Sequence, residues 1–160
     1  MLKIKKRIWL YLPLLLLLFS NNLALSQNNM DFSSPEATFR TNMQACKDLD
    51  FKKSDLCTTK KFQKFAKTNK NYLSHRNTGQ LANAYRYWND KPYELEIHRN
   101  KAIMRFSPEF IRPEPFYFVN EYGKWKIDSM FSFNNVIIED SQHWHWRNPK
   151  IDNEKKWLKR

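Results

Sequence analysis

The sequence predicts an α+β protein in which N-terminal helices pack on a curved antiparallel sheet. Apolar residues recur at helical spacing from Phe39 to Trp88, and the period changes to every second residue from Tyr93 onward. Two runs of aromatic and β-branched residues then flank Gly123, one of only two glycines in the chain. Glycine allows the positive φ of a tight reversal, so the two runs predict a hairpin. Helices followed by paired strands define the α+β class.

The helical half opens with a strong start signal. Ser33-Ser34-Pro35-Glu36 offers a serine cap, a proline in the first turn and, if Ser33 is the cap, a glutamate for a capping box. We expect a second short helix from Asp50-Phe51, a third from Lys60 to Leu73 and a fourth from about Gly79 to Trp88. The apolar stripe of each helix is expected to face the sheet.

The strand half follows Pro92. Residues 93–98 alternate apolar and polar side chains, and Ala102 to Ser107 is expected to pair with them. Prolines predict an extended crossing into the hairpin, at Pro108, Pro113 and Pro115. On the second arm of the hairpin we expect one strand face to hold Trp125, Ile127, Phe131 and Phe133. Further short apolar runs follow at 136–138 and 143–146, and a basic C-terminal helix is expected near Trp157.

The first 26 residues have the pattern of a secretory signal peptide. A basic start precedes an apolar stretch of twelve residues, Ile8 to Phe19, and a polar part that ends in Ala24-Leu25-Ser26. This order predicts cleavage after Ser26 and a periplasmic or secreted protein with no membrane-spanning segment once processed. A retained anchor is the alternative, although a spanning helix needs ~20 apolar residues.

Residues 27–133 are predicted to form one domain, and residues 134–160 a basic C-terminal extension. The whole chain has a formal net charge of +12, and positive residues are concentrated in 52–76 and 147–160. We expect a basic contact surface on the third helix, formed by Lys60, Lys61, Lys64 and Lys67. Such a surface suits an acidic protein or an anionic envelope surface, but a solvated helix face without a partner explains it as well. Nucleic acid is a poor candidate, since the chain has no recognised binding motif.

The chain has two cysteines, Cys46 and Cys57. In an exported protein two cysteines usually pair, so we expect a disulfide between them. A catalytic thiolate is the alternative. It would need a nearby histidine or helix N-terminus to lower the pKa of the thiol, and the sequence offers neither.

Three stretches of the chain resemble the nuclear transport factor two-like superfamily, whose fold is the cystatin-like α+β cone. They are Ser34-Pro35-Glu36-Ala37-Thr38-Phe39, Ala45-Cys46-Lys47-Asp48-Leu49-Asp50-Phe51, and Tyr117-Phe118-Val119-Asn120-Glu121-Tyr122-Gly123-Lys124-Trp125-Lys126-Ile127-Asp128. The chain looks like a small secreted bacterial member of this superfamily, and the resemblance implies a pocket between the sheet and the helices. None of the stretches is a catalytic motif, so the resemblance speaks to fold rather than to chemistry.

Aromatic residues are the first candidates for lining such a pocket: Tyr85, Trp88, Phe118 and Trp125. A small apolar ligand is the partner that this lining would take. Rings of this size are more often part of a hydrophobic core, and that alternative stays open.

Catalysis is the rival hypothesis. An isomerase- or dehydratase-like reaction needs a pocket carboxylate as general base and a second polar group for the developing oxyanion. The available residues are Asp128, Glu94, Glu96, Tyr85, Tyr117 and His98. Alternation places the charged ones opposite the apolar faces of their strands, where solvent is expected. We therefore predict a non-catalytic binding or interaction module and assign no catalytic residue.

The sequence gives no basis for a cofactor or a metal. His143 and His145 share one side of a strand-like segment near Glu139 and Asp140, but a zinc site needs three or four converging ligands. Two glycines cannot build a phosphate-binding loop, and no Gly-x-Ser-x-Gly elbow occurs.

Overall fold

The computed structural model describes residues 30–107, 114–139 and 143–159. The helices are α1 (Pro35–Lys47), α2 (Phe51–Leu56), α3 (Lys60–Thr68), α4 (Lys70–His75), α5 (Thr78–Trp88), α6 (Ser129–Asn135) and α7 (Asn153–Leu158). The strands are β1 (Tyr93–His98), β2 (Lys101–Phe106), β3 (Phe116–Glu121), β4 (Lys124–Ile127), β5 (Val136–Ile138) and β6 (Trp144–Trp146). The predicted signal peptide, and Pro108 and Pro113 of the predicted crossing, lie outside the described residues.

A four-stranded antiparallel sheet has the order β1-β2-β3-β4, and β5 pairs with β6 as a separate ribbon. The register places Ala102 opposite Phe118 and Phe118 opposite Ile127. Residues opposite each other in paired strands share one face of the sheet, so these three belong to a single apolar face. Helices packed on an antiparallel sheet confirm the predicted α+β class.

The larger hydrophobic core lies between this face and the helices. Phe39 and Met43 of α1 pack there with residues of α5 and of the sheet, among them Trp88, Met104 and Trp125. The predicted start of α1 is confirmed, because Ser34 Oγ accepts a hydrogen bond from the Ala37 N–H at 3.1 Å. Thr38 is fully buried, and its hydroxyl lies 3.0 Å from the carbonyl oxygen of Trp125. This contact ties α1 to β4.

The opposite face of the sheet is buried by the chain that follows Ile127. Phe131 of α6 and Trp157 of α7 pack on Ile103 and Tyr117. Trp157 Nε1 donates to Asp128 at 3.0 Å, and the Tyr117 hydroxyl donates to Glu154 at 3.2 Å. The segment that the sequence analysis separated as a basic extension therefore supplies much of the second layer over the sheet. Both hydrophobic clusters lie in one compact unit, Asp31–Arg160.

The two edge strands of the sheet differ in how far they are covered by other parts of the chain. The Trp125 and Ile127 N–H groups of β4 donate to the carbonyls of Phe32 and Cys57, at 2.9 and 2.8 Å, and the Ile127 carbonyl accepts from Thr59 at 3.0 Å. The β4 edge is thus closed. β1 forms the other edge, and its Ile97 is 54% exposed although it lies on the helix side of the sheet.

Two predicted elements differ from the structure. The third helix ends at Thr68, because the Asn69 side chain accepts from the Tyr72 N–H at 2.8 Å and starts α4 as a separate helix. The second arm of the hairpin ends at Ile127, because Asp128 Oδ1 accepts from the Phe131 N–H at 3.2 Å and starts α6. Phe131 and Phe133 therefore belong to a helix. In both cases a side-chain cap begins a new helix where the sequence analysis continued the old element.

Candidate ligand cavity and basic surface

Three of the four predicted pocket residues are buried in the helix-side core. Trp88, Phe118 and Trp125 are at most 8% exposed and pack together there. Tyr85 is partly buried and lines an open groove of about 340 Å³ between α1, the end of α5 and the start of β1. The four side chains do not surround a common cavity in the part of the chain that the structure describes.

A different cavity lies between the helices and the sheet, with a volume of about 190 Å³. We call it the helix–sheet cavity. Its apolar wall is formed by Phe51, Phe62, Leu81, Phe116 and Ile127. Its polar wall is formed by Asn42, Ser54, Asp55, Thr58, Tyr72, Arg76, Gln80 and Ser129. An apolar lining with a few converging polar groups is the usual character of a ligand site.

Asn42 brings an amide to this cavity from the buried side of α1. The residue is only 8% exposed. Its Oδ1 accepts a hydrogen bond from Ser54 Oγ at 2.9 Å, and its Nδ2 donates to no group within residues 30–107, 114–139 and 143–159. This nitrogen keeps contact with solvent, so a ligand in the cavity would replace water as its hydrogen-bond acceptor.

Arg76 is fixed by an ion pair and by two aromatic rings. Its Nη1 and Nη2 donate to the two carboxylate oxygens of Asp55, at 3.1 and 2.9 Å. The guanidinium carbon lies 4.1 Å from the ring centroid of Phe51 and 5.4 Å from that of Tyr72. Nε is buried and has no hydrogen-bond partner among the described residues. The bidentate ion pair with Asp55 holds the guanidinium in one orientation and offsets its charge locally.

Tyr72 adds a hydroxyl to the polar wall. Its ring packs edge-on against Phe62, with centroids 5.6 Å apart. Burial raises the pKa of the Tyr72 phenol, and Arg76 opposes this effect. The hydroxyl therefore stays protonated at neutral pH and can donate a hydrogen bond.

The residues proposed for catalysis do not converge on the helix–sheet cavity. Asp128 caps α6 and accepts from Trp157 on the other side of the sheet. Glu96 contacts His98 and accepts from Arg105 at 2.8 Å, and these bonds lower the pKa of its carboxyl. Burial raises the pKa of Tyr117, whose hydroxyl is bonded to Glu154. Glu94 lies exposed on β1, opposite Arg105.

Asp55 is a carboxylate that does line the cavity, but both of its oxygens accept hydrogen bonds from Arg76. Both oxygens are therefore already paired with a cation. The arrangement suits binding better than general-base catalysis.

The predicted disulfide is wrong. Cys46 and Cys57 are both buried and both free. The Cys57 thiol donates to the carbonyl of Lys53 at 3.4 Å, and Cys46 is hydrogen-bonded to Ser54. Burial raises the pKa of Cys46 to about 11 and that of Cys57 to about 12. Both side chains are protonated, small core residues, so neither has the character of a catalytic thiolate.

The predicted basic surface is exposed on α3, at Lys60, Lys61, Lys64 and Lys67. The buried side of this helix is formed by Phe62 and Ala66. Lys60 Nζ lies 4.8 Å from the ring centroid of Tyr122, and the backbone N–H of Lys60 donates to Glu121 Oε2 at 3.2 Å. Across the described ranges, no salt bridge engages any of the four ammonium groups. Their charge is thus open to solvent or to a partner.

A metal centre is not formed by the described residues. His145 Nδ1 lies 3.4 Å from Glu139 Oε1, and no group of three histidine, cysteine or acidic side chains converges within them. Among the same residues, every helix is too short or too polar to cross a membrane.

Sequence reasoning missed Asn42 and Arg76. Asn42 was visible in principle, since it falls three residues after Phe39 on the apolar stripe of α1, and a polar residue at such a position is informative. Arg76 has no comparable signal, because its partner Asp55 is 21 residues away in the chain.

Fold and site together define an α+β protein with a polar-walled cavity that lies between its helices and an antiparallel sheet and opens to solvent. Comparison with family models, with curated proteins and with solved structures gives no match. The resemblance to the nuclear transport factor two-like superfamily stays a prediction.

Proposed function

We propose that the protein is a non-catalytic binding module. Its helix–sheet cavity takes a small, flat molecule that carries a hydrogen-bond acceptor, and its α3 lysines contact an anionic partner. The observation that carries the first part is Arg76 Nε, a buried donor of a cavity-lining residue that has no hydrogen-bond partner among the described residues. The Asn42 amide lines the same cavity, with its oxygen bonded to Ser54. Membership of the nuclear transport factor two-like superfamily and export from the cytoplasm belong to the same proposal. A mature N-terminus at Gln27, measured by mass spectrometry, is the expected sign of export.

The lining favours a neutral ligand. Asp55 balances the charge of Arg76, so the polar wall carries no net charge from this pair. The Asn42 amide and the Tyr72 hydroxyl remain as donors, and the Phe62 and Phe116 rings offer apolar surface. A space of about 190 Å³ equals the liquid volume of about six water molecules. A single aromatic ring with a carbonyl group matches this size and chemistry.

Benzamide is a suitable probe, and toluene is the matched probe without an acceptor. We expect benzamide to shift the ¹⁵N-correlated signals of the Asn42 side-chain amide and of Arg76 Nε–H, with a Kd in the millimolar range, roughly −4 kcal/mol. Toluene is expected to bind about tenfold more weakly, because it leaves the donors unpaired.

The substitution Asn42→Leu keeps the size of the side chain and removes the amide, so the Kd for benzamide should rise about tenfold. Gln44→Leu is the control, because Gln44 is exposed on the same helix and does not line the cavity. Unfolding free energies of both variants show whether the fold survives. An unchanged Kd in folded Asn42→Leu protein contradicts the proposal.

A further inference from the structure

The lysines of α3 lie on the side of the helix that faces away from the protein core. Lys60, Lys64 and Lys67 follow one another at intervals of four and three residues, which places them on one stripe. Phe62 and Ala66 occupy the opposite, buried side. The apolar side of α3 is thus used by the core, and the helix offers only its cationic side to a partner.

An exposed aromatic side chain stands beside this stripe at the tip of the β3–β4 hairpin. Tyr122 is 91% exposed, and Lys60 Nζ lies over its ring. Tyr122 and Gly123 both have positive φ, of 55° and 80°, and the Gly123 N–H donates to Asn120 Oδ1 at 2.8 Å. Positive φ at both central residues is the geometry of a tight hairpin turn. The turn therefore holds the ring away from the protein.

A second exposed ring belongs to α6. Phe133 is 52% exposed, and its ring centroid lies 5.0 Å from that of Phe65 on α3. The two rings place exposed apolar surface beside the lysines of α3. They match the boundary of a lipid bilayer, where amphipathic and apolar rings lie below the level of the phosphates.

We propose that this lysine–aromatic face, formed by Lys60, Lys61, Lys64, Lys67, Tyr122 and Phe133, docks on the surface of an anionic lipid bilayer. The inference rests on the anionic partner of the proposed function and commits it to one class. The lysines attract lipid phosphates, and the two rings enter the headgroup region. A soluble acidic polymer would use the lysines but would leave Phe133 and Tyr122 without a role.

The test measures sedimentation with vesicles of phosphatidylcholine, with and without phosphatidylglycerol. The protein used in this assay begins at Gln27, because the apolar leader would itself bind lipid. Both hydrophobic clusters are formed by residues after position 27, so they are retained. Binding is expected only with phosphatidylglycerol, and it should weaken as salt is raised. Replacing the four α3 lysines by glutamine should lower partitioning by at least about a hundredfold.

The matched control changes four exposed lysines of the C-terminal segment to glutamine: Lys150, Lys155, Lys156 and Lys159. The control removes the same charge elsewhere, so partitioning should fall less than about fivefold. Tyr122→Ser, at a side chain that is 91% exposed, should weaken vesicle binding by about fivefold while the circular dichroism spectrum stays unchanged.

Poly-L-glutamate serves as a soluble anion in the same assay. Vesicle binding that depends on the α3 lysines and on Tyr122 supports the inference. Lysine-dependent binding to poly-L-glutamate without vesicle binding overturns the lipid inference and leaves the anionic partner standing. Binding to neither vesicles nor poly-L-glutamate overturns the lipid inference and the anionic partner together. Vesicle binding that is equal in the α3 and control variants overturns the assignment of binding to the lysine–aromatic face.

Discussion

Asn42 shows how one residue can turn a core position into a binding position. Its neighbours on the same stripe, Phe39 and Met43, are buried apolar residues. The amide among them has its oxygen bonded to Ser54, and the residue lines the helix–sheet cavity. An apolar residue at this position would offer a ligand no donor. The Asn42 amide therefore indicates a ligand-binding site at this position.

The two cysteines illustrate the opposite case, in which a reactive side chain is made inert. Burial raises the pKa of both thiols from the ordinary 9.0, to about 11 for Cys46 and about 12 for Cys57. The folded state favours the neutral thiol over the thiolate. The stabilisation of the fold that results is complete below pH 9.0, and it is lost as the pH rises through about 11 and 12, where the buried thiols ionise.

We expect both thiols to resist an aromatic disulfide reagent in the native protein at mildly alkaline pH, because they are buried and protonated. Both should react rapidly once denaturant unfolds the chain. Absorbance of the released thiolate counts the free thiols in each state. Unfolded, unreduced protein that yields no free thiol would show that the cysteines are bonded after all.

At the scale of elements, α7 is held to the sheet by more contacts than its length of six residues suggests. Lys101 Nζ, at the start of β2, donates to the carbonyls of Trp157 and Leu158 at the end of the helix. Arg105 of β2 donates to Glu154, which also accepts from Tyr117 of β3. A cation at the C-terminal carbonyls of a helix and an anion in its first turn both suit the helix dipole.

Truncating Trp157, the buried side chain of α7, should destabilise the whole protein. Trp157 is 2% exposed, so Trp157→Ala should lower the free energy of unfolding by about 3–5 kcal/mol, through the loss of buried area and the cavity left behind. Trp144→Ala is the control, because Trp144 is only partly buried on the β5–β6 ribbon, and about 1 kcal/mol is expected. Urea unfolding followed by circular dichroism measures both. Equal, small losses would mean that α7 is not integral to the fold.

The elements themselves were largely predictable where the signal is local. The Ser34 cap, the change of period after Trp88 and the Gly123 reversal depend on residues close in sequence, and the structure confirms them. Asn69 and Asp128 were missed as caps because aromatic residues continue on both sides of them, and that pattern hides a break.

At the scale of the whole molecule, the central strands β2 and β3 are covered on both faces, whereas β1 is largely exposed. The helices cover one face, and the chain after Ile127 covers the other. Sequence patterning could assign the aromatic residues to a core but could not say which rings fill it and which line a space. That choice depends on how α1, α2 and α4 meet over β3 and β4, which no local pattern encodes. The ion pair of Asp55 and Arg76 is one product of that meeting.

Nuclear Overhauser contacts between benzamide protons and the protein test the binding cavity most directly, because they locate the probe by distance. We expect contacts to the rings of Tyr72 and Phe116 and to the methyl groups of Ile127, which line the helix–sheet cavity. Contacts to Tyr85 and Tyr93, in the open groove beside α1, with none to the cavity residues, would contradict the account.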